Sequence, residues 1–274
     1  MKGIPSVTDA FFLPDGDSWR ATSHTRGPWS PVHQHGGPAA ALIAHVVQAT
    51  APAMFVSRLT VDFLRPIPID RLRVQIAPLR AGAKVQRVIG QLLHADRVVA
   101  HAVITLIRRE AVPVQIVNEP EPLPPPETSR PFQFPFFREP DGYHTAMETR
   151  LARGDFGTGR VAAWMRQRVP LLPDEPPSPL ERVLVAADSG SGVSAALDHR
   201  LQSAVNPDLT VALSRPLEGE WVGLDSVSFY QPHGIGLADT RICDARGTLG
   251  RALQSLVLEE RRGSSRSLRG RSEP

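Results

Sequence analysis

The stretch LTVDFLRP at residues 59–66 recurs as LTVALSRP at residues 209–216, displaced by 150 residues. The same displacement places AVITLI at 102–107 on ALQSLV at 252–257. Both matches fall on segments rich in branched apolar residues, which favour β-strands. Two matches at one displacement indicate that the chain contains two copies of one unit.

A proline-rich segment separates the two copies, with nine prolines between residues 112 and 140. Proline supplies no amide donor to a sheet, so we expect an extended, irregular linker, although its phenylalanine run indicates that part of it packs down. The sequence therefore predicts four segments: an N-terminal unit over 1–111, this linker over 112–140, a C-terminal unit over 141–260 and a disordered basic tail over 261–274.

Each copy is predicted to contain a strand or two, then one helix, then several antiparallel strands. Gly36, Gly37 and Pro38 open an apolar helix in the first copy, and Pro179 opens LERVLVAAD in the second. Strand-like segments follow, separated by proline, glycine and tight turns. Because a long apolar helix must be covered, we expect it to lie in the concavity of its sheet. The predicted fold class is α+β: two tandem units, each an antiparallel sheet wrapped around a long central helix.

The composition, with 41% hydrophobic and 22% charged residues, is typical of a globular protein. No apolar run reaches the roughly 20 residues of a membrane span, and the N-terminus shows no signal-peptide pattern. The net charge of +3 arises from five tail arginines opposed by one glutamate, so the body is close to neutral. We therefore expect a soluble cytoplasmic protein that binds neither nucleic acid nor a membrane.

Several chemistries have no motif in the sequence. There is no GxSxG elbow, no P-loop and no GxGxxG after a strand, so serine-hydrolase and nucleotide-cofactor functions are disfavoured and no cofactor is expected. The lone Cys243 excludes a disulfide framework and a multi-cysteine zinc site. His33 and His35 are separated by one residue, but no third potential ligand is close in the sequence, so no metal site is predicted.

Two positions turn polar in one copy only. Asp188 continues the buried face of the helix that begins at Pro179, so it either lies desolvated in a cleft or ends the helix in solvent. Gln254 stands where the first copy has Ile104, and it either serves a site or faces outward at a sheet edge. Because burying an unpaired polar group costs about 1–3 kcal/mol, the pair together indicates a site.

Two further residues are weaker candidates. Thr210 begins a strand, but Thr60 occupies the same place in the first copy, so sheet propensity also explains it. Asn206 precedes that strand, and asparagine at such a position is typical of a turn.

The residues HGGPAAAL at 35–42 resemble the helix opening of hot-dog-fold thioesterases. With the repeat, Asp188 and Gln254, the chain resembles the TesB-type double hot-dog acyl-CoA thioesterases over about residues 5–260. The resemblance implies a double hot-dog fold and hydrolysis of an acyl-CoA by a water held between an aspartate, a hydroxyl residue and a glutamine.

Carried onto this sequence, the aspartate is Asp188 and the glutamine is Gln254. The hydroxyl position falls on Asn206, with Thr210 the nearest hydroxyl, and either could fill that role. Single hot-dog relatives carry a carboxylate nine residues after the histidine, where this chain has Ala44, so one site per chain is expected. The resemblance also implies acyl-CoA binding near His35, Gly36 and Gly37, with amides at the helix start facing the developing negative charge.

Two alternatives stay open on sequence alone. The altered hydroxyl position favours a non-catalytic protein that binds an acyl-CoA or acyl ligand. A hot-dog acyl-CoA hydratase is the other, although the local Asp/His segment of that class is absent. Hot-dog units pair through their sheets and helices, so a homo-oligomer is also expected.

Overall fold

The computed structural model describes residues 9–115 and 122–261. Its N-terminal part contains one helix and six strands: β1 (Phe12–Asp15), β2 (Ser18–Ala21), α1 (Gly36–Thr50), β3 (Met54–Phe63), β4 (Arg71–Ala81), β5 (Val85–His94) and β6 (Arg97–Arg108). Of the tail predicted to be disordered, residues 262–274 lie outside the described residues.

The C-terminal part repeats this order with additions at its start. Its elements are β7 (Arg130–Phe132), α2 (Tyr143–Ala146), β8 (Met147–Arg153), β9 (Arg160–Gln167), α3 (Pro179–Ala187), α4 (Gly190–Val193), β10 (Gln202–Val205), β11 (Asp208–Leu213), β12 (Val222–Tyr230), β13 (Ile235–Asp244) and β14 (Gly247–Glu260). The strand or two expected before each helix, which the sequence did not place, are β1 and β2 in the first copy and β8 and β9 in the second. The sequence located neither β7, in the proline-rich segment, nor the short β10.

All the strands join in one antiparallel sheet, in the order β1-β2-β4-β5-β6-β3-β11-β14-β13-β12-β9-β8-β7, with β10 also paired to β14. The order is the same when read outward from the middle in either direction: β3, β6, β5 and β4 on one side, and β11, β14, β13 and β12 on the other. The chain therefore has an internal twofold axis between β3 and β11, and the predicted α+β class is confirmed.

The repeat keeps its register across four strands except at a bulge in β4 between Pro78 and Arg80. Thr60 pairs with Val103 in the first copy, and Thr210 pairs with Leu253 in the second, a displacement of 150 at both partners. Outward, the pairs Val74–Leu92 and Leu224–Ile242 keep the same displacement. Between the copies, Thr60 pairs with Thr210 itself. The axis therefore passes beside these two threonines.

The two long helices lie inside the curved sheet, as predicted. Residues 37–44 of α1 are all buried, because the sheet covers one side of the helix and α3 covers the other. Helix α3 begins with a capping box, in which Ser178 Oγ accepts from Glu181 N and Glu181 Oε2 accepts from Ser178 N. The helices run antiparallel, with the start of each beside the end of the other.

The proline-rich segment differs from the prediction in its second half. Residues 126–128 form a 3-10 turn, and β7 pairs with β8. Arg150 donates to Pro126 O and Trp164 Nε1 donates to Pro124 O, so carbonyls that proline leaves available become acceptors for the C-terminal unit. The aromatic residues that follow pack into the core, as their number predicted.

Candidate active site

Asp188 lies at the end of α3, where it is the C-terminal cap, and only 5% of its surface is exposed. The interpretation of a solvated helix end is therefore wrong. A buried carboxylate requires hydrogen-bond donors, and side chains from three other elements supply them.

Asn206 and Gln254 both donate to the same oxygen of this carboxylate. Asn206 Nδ2 lies 2.8 Å and Gln254 Nε2 lies 3.2 Å from Asp188 Oδ1. Gln254 Nε2 also lies 3.0 Å from Asp188 O, and its Oε1 accepts from Ser191 N at 2.9 Å. Gln254 is 1% exposed, so it lies behind Asp188 rather than at a sheet edge. The structure brings three of the sequence-predicted residues together.

His35 contacts the other carboxylate oxygen, with Nδ1 2.9 Å from Asp188 Oδ2. The residue is the N-terminal cap of α1, and Nδ1 also lies 3.3 Å from Gly37 N. The shorter contact, to a charged acceptor, requires a proton on Nδ1, so the imidazole donates to the carboxylate. Sequence reasoning placed His35 near substrate but missed this pairing.

Tyr143 holds the imidazole from behind. Its ring stacks on that of His35 with centroids 3.8 Å apart and planes within 3°. Its hydroxyl donates to Val185 O at 2.8 Å and lies 2.7 Å from Ser189 Oγ. Burial raises the pKa of the Tyr143 phenol, which keeps it protonated as a donor. Tyr143 lies just after the linker, and no sequence signal pointed to it.

The electrostatics of Asp188 are set by two opposing effects. Burial raises the pKa of this carboxyl, but the nearby His35 imidazole and the hydrogen bonds from His35, Asn206 and Gly37 N outweigh burial. The net pKa of Asp188 lies below its ordinary value of 3.8. The group is therefore a carboxylate at neutral pH.

The two glycines let α1 start against this carboxylate. A methyl group at Gly36 would overlap the Phe63 ring and lie 2.9 Å from Asp188 Oδ2, and one at Gly37 would overlap the Val185 carbonyl. Only glycine allows the two helices and Phe63 to approach this closely. Gly36 lines the adjoining cavity, whereas Gly37 faces α3.

A cavity of about 590 Å³, which we name the first cavity, opens beside Asp188, His35 and Asn206. One wall is aromatic and comes largely from the proline-rich segment: Phe134, Phe136, Phe137 and Tyr143. Arg65 and Glu259 lie among its exposed lining residues. A hollow that combines an ionised acid, amides and an apolar wall can hold a polar reacting group with an apolar substituent.

Thr210 is not brought to this site. Leu209 and Val211 face the core, so Thr210 faces the outer side of the sheet, where its hydroxyl lies 3.2 Å from Thr60 Oγ1. Of the two residues, Asn206 contacts the Asp188 carboxylate and Thr210 does not. Within the described residues no group of three or more potential metal ligands is found.

Two family models match the chain in tandem. The model described as the acyl-CoA thioesterase C-terminal domain matches residues 118–258, and the one described as the N-terminal domain matches residues 25–107. No curated protein sequence matches. In the parts of the chain described here, no helix has the length and apolar character to cross a membrane.

Solved structures show the same architecture at low sequence identity. A hot-dog-fold protein of unknown function from Alicyclobacillus acidocaldarius is 18% identical, with a TM-score of 0.73 over 94% of this chain and 99% of its own. Acyl-CoA thioesterase II TesB2 from Mycobacterium marinum is 16% identical, with a TM-score of 0.66 over 91% and 94%. A TesB protein from Mycobacterium avium subspecies paratuberculosis gives 16% and 0.66 over 90% and 96%. The double hot-dog fold is confirmed.

Proposed function

The chain belongs to the acyl-CoA thioesterase family and is a thioester hydrolase, and from this premise we propose that it cleaves an acyl-CoA at the first cavity with Asp188 as general base. The observation that carries the proposal is the buried Asp188 carboxylate, ionised and held by Asn206, Gln254 and His35 at the cavity wall. A carboxylate held rigidly beside an apolar hollow fits the activation of a water molecule.

We assign the proton transfer to Oδ2, because two side-chain amides occupy Oδ1 and a single side chain, His35, contacts Oδ2. Oδ2 takes a proton from water as the hydroxide oxygen bonds to the thioester carbon. The resulting oxyanion faces the start of α1 at Gly36, where the backbone N–H groups and the helix dipole stabilise negative charge. When the intermediate collapses, the C–S bond breaks, and the proton on Asp188 passes to the leaving thiolate, giving free acid and CoA.

Gln254 acts as a positioning residue in this scheme. It does not line the first cavity, and both ends of its amide are used within the protein. It fixes the carboxylate between α3 and β14, while Asn206, which does line the cavity, is placed to contact the water as well. This assignment differs from the sequence-based expectation that Gln254 contacts the water directly.

The substrate groups follow from the walls of the cavity. The acyl group would pack against Phe134, Phe136 and Phe137, and Arg65 at the mouth is placed to meet a phosphate of CoA. The predicted homo-oligomer and cytoplasmic location, and the unit bounds 1–111 and 141–260, stay predictions.

The decisive experiment is Asp188→Asn. Without a base, release of thiol from a panel of acyl-CoAs should fall at least about 100-fold, measured with a chromogenic thiol reagent. The matched control is Asp62→Asn, which removes an exposed carboxylate from β3 and should leave turnover unchanged. Unchanged turnover in the Asp188 variant would refute the assignment, and acyl-CoA binding without thiol release by the wild type would favour a binding protein.

A further inference from the structure

A second cavity, of about 470 Å³, lies where the end of α1 meets the start of α3. Most of its lining residues are twofold mates of those in the first cavity with the copies exchanged, 150 residues apart in the strands and adjoining loops and 143 apart in the helices and their caps. Ile67 of the first cavity corresponds to Leu217 of the second, Asn206 corresponds to Val56, and Glu259 corresponds to Arg109. The second cavity is therefore the active-site position of the other copy.

The helices show what replaced the acid there. The N-terminal caps of α1 and α3 are His35 and Ser178, and ten residues after them come His45 and Asp188. His45 lines the second cavity, whereas Ala44, at the place counted from the sequence, is buried in the core. The structural mate of Asp188 is thus His45.

Each cavity contains a histidine of α1 paired with an acid of α3. In the first cavity, His35 Nδ1 lies 2.9 Å from Asp188 Oδ2; in the second, His45 Nδ1 lies 2.8 Å from Glu181 Oε1. The hydrogen bond to Glu181 raises the pKa of His45. With Nδ1 bonded to Glu181, Nε2 is the ring nitrogen left for a ligand, and it is a donor when the imidazole is protonated.

The machinery for activating water is missing from the second cavity. Val56 replaces Asn206, and the buried Ile104 replaces Gln254. Two acidic residues are also replaced by basic ones, since His45 takes the place of Asp188 and Arg109 takes the place of Glu259. Two acidic residues also line this cavity. Glu181 is hydrogen-bonded to His45 Nδ1 and accepts from Ser178 N, and Glu175 lies exposed at the rim.

The walls of the second cavity remain those of an acyl pocket. They are formed mainly by apolar side chains: Met54, Phe55, Leu180, Leu213 and Leu217. A pocket of this kind, with the His45 imidazole and the Arg109 guanidinium in its lining, suits an apolar chain that ends in an anion. The first cavity presents a carboxylate at the same place, which repels such an anion.

We propose that the second cavity binds a free carboxylic acid with an apolar chain, its carboxylate at His45 and Arg109, without hydrolysing anything. This site needs no turnover at the first cavity, so it can fail or hold independently of the proposed hydrolysis. Its ligand class is that of the acid an acyl thioesterase releases.

The probe is decanoate labelled at the carboxyl carbon and followed by NMR during titration of the full chain. A bound signal belonging to the second cavity is expected, and His45→Gln should weaken it at least about tenfold. Arg109→Glu, at an exposed position, should weaken it several-fold, while the twofold-related Glu259→Arg should not change it. Decanol, which lacks the charge, should compete at least about tenfold less well than decanoic acid.

Two matched variants show which cavity gives the signal. Ile67→Trp fills the first cavity, and Leu217→Trp fills the second. Both positions are 4% exposed, so the two variants carry comparable packing strain. The signal should survive the first change and disappear with the second. If either tryptophan prevents folding, the Arg109 and Glu259 variants decide the matter, because both are exposed. No bound signal, equal competition by decanol, unchanged affinity in the Arg109 variant, or loss with Ile67→Trp overturns the proposal.

Discussion

The first and second cavities are built on one backbone and differ in the groups at their polar ends. The register of four strands repeats except at one bulge in β4, and each cavity lies where one end of α1 meets the opposite end of α3. The first has an acid, Asp188, with two amide donors, whereas the second has His45, a valine and an isoleucine in their places. The same fold therefore carries two pockets with different polar groups, an acid and two amides in one and a histidine and an arginine in the other.

The difference also shows what makes a buried polar residue tolerable. Gln254 and Ile104 occupy matched positions on β14 and β6 with almost no exposed surface. Gln254 is stable there because its Nε2 donates to Asp188 and its Oε1 accepts from Ser191 N. The first copy offers no such partners, and an apolar residue fills the position.

The largest change within this comparison is expected when Gln254 is replaced by its mate, as Gln254→Ile. The carboxylate loses one of its two amides and can shift, which should lower kcat by about 10- to 100-fold. KM should change little, because Gln254 does not line the first cavity. Steady-state thiol release measures both constants.

Ser255→Ala is the control for Gln254→Ile, since Ser255 lies on the opposite face of the same strand and is exposed. It should keep both constants. A Gln254 variant with raised KM and unchanged kcat would show that the amide contacts substrate instead of positioning Asp188.

The sequence predicted those parts of the site that the repeat makes visible. Asp188 and Gln254 stand out because each is polar at a position where the apolar pattern of its helix or strand predicts a buried residue. That pattern and the repeat can both be read directly from the sequence. The contact of His35 with Asp188 is different: it depends on the antiparallel packing of α1 on α3, which no periodicity encodes. Tyr143 was missed for the same reason, because its role comes from stacking across the chain.

The fold was predictable to a similar extent. The repeated stretches AVITLI at 102–107 and ALQSLV at 252–257 lie within β6 and β14, because branched apolar residues favour strands. The ordered packing of the linker was not predictable, because Pro124 and Pro126 act through their carbonyl oxygens, which accept hydrogen bonds from Trp164 and Arg150. Proline content predicts missing donors and says nothing about such acceptors.

A smaller change is expected from His35→Gln, which tests what the imidazole does for Asp188. Loss of this partner should let the pKa of Asp188 rise, because burial then meets less opposition. The base must be ionised, so the acid limb of kcat/KM should move to higher pH, while activity at neutral pH falls by about tenfold or less. A pH profile of thiol release measures the shift.

His33→Gln is the control for this experiment, because His33 lines the first cavity without contacting Asp188. Its acid limb should stay in place. If His35→Gln instead abolished activity at every pH, as Asp188→Asn should, the imidazole itself would be the base and the carboxylate its support.

The smallest effect is expected at His45 and concerns stability. Because the pKa of His45 is raised above 6.5 in the folded chain, its bond to Glu181 contributes fully below pH 6.5 and is lost as the pH rises through the folded pKa. The contribution should be less than about 1 kcal/mol, since the imidazole is partly solvated. The free energy of unfolding in urea, followed from mildly acidic to mildly alkaline pH, should therefore fall in the wild type relative to His45→Gln.

His233→Gln is the control for this experiment, because His233 is exposed, and it should track the wild type at every pH. The opposite result would be a stability difference between wild type and His45→Gln that grows as the pH rises. It would mean that burial lowers the pKa of His45, as burial lowers that of His144, and that the second cavity contains a neutral imidazole.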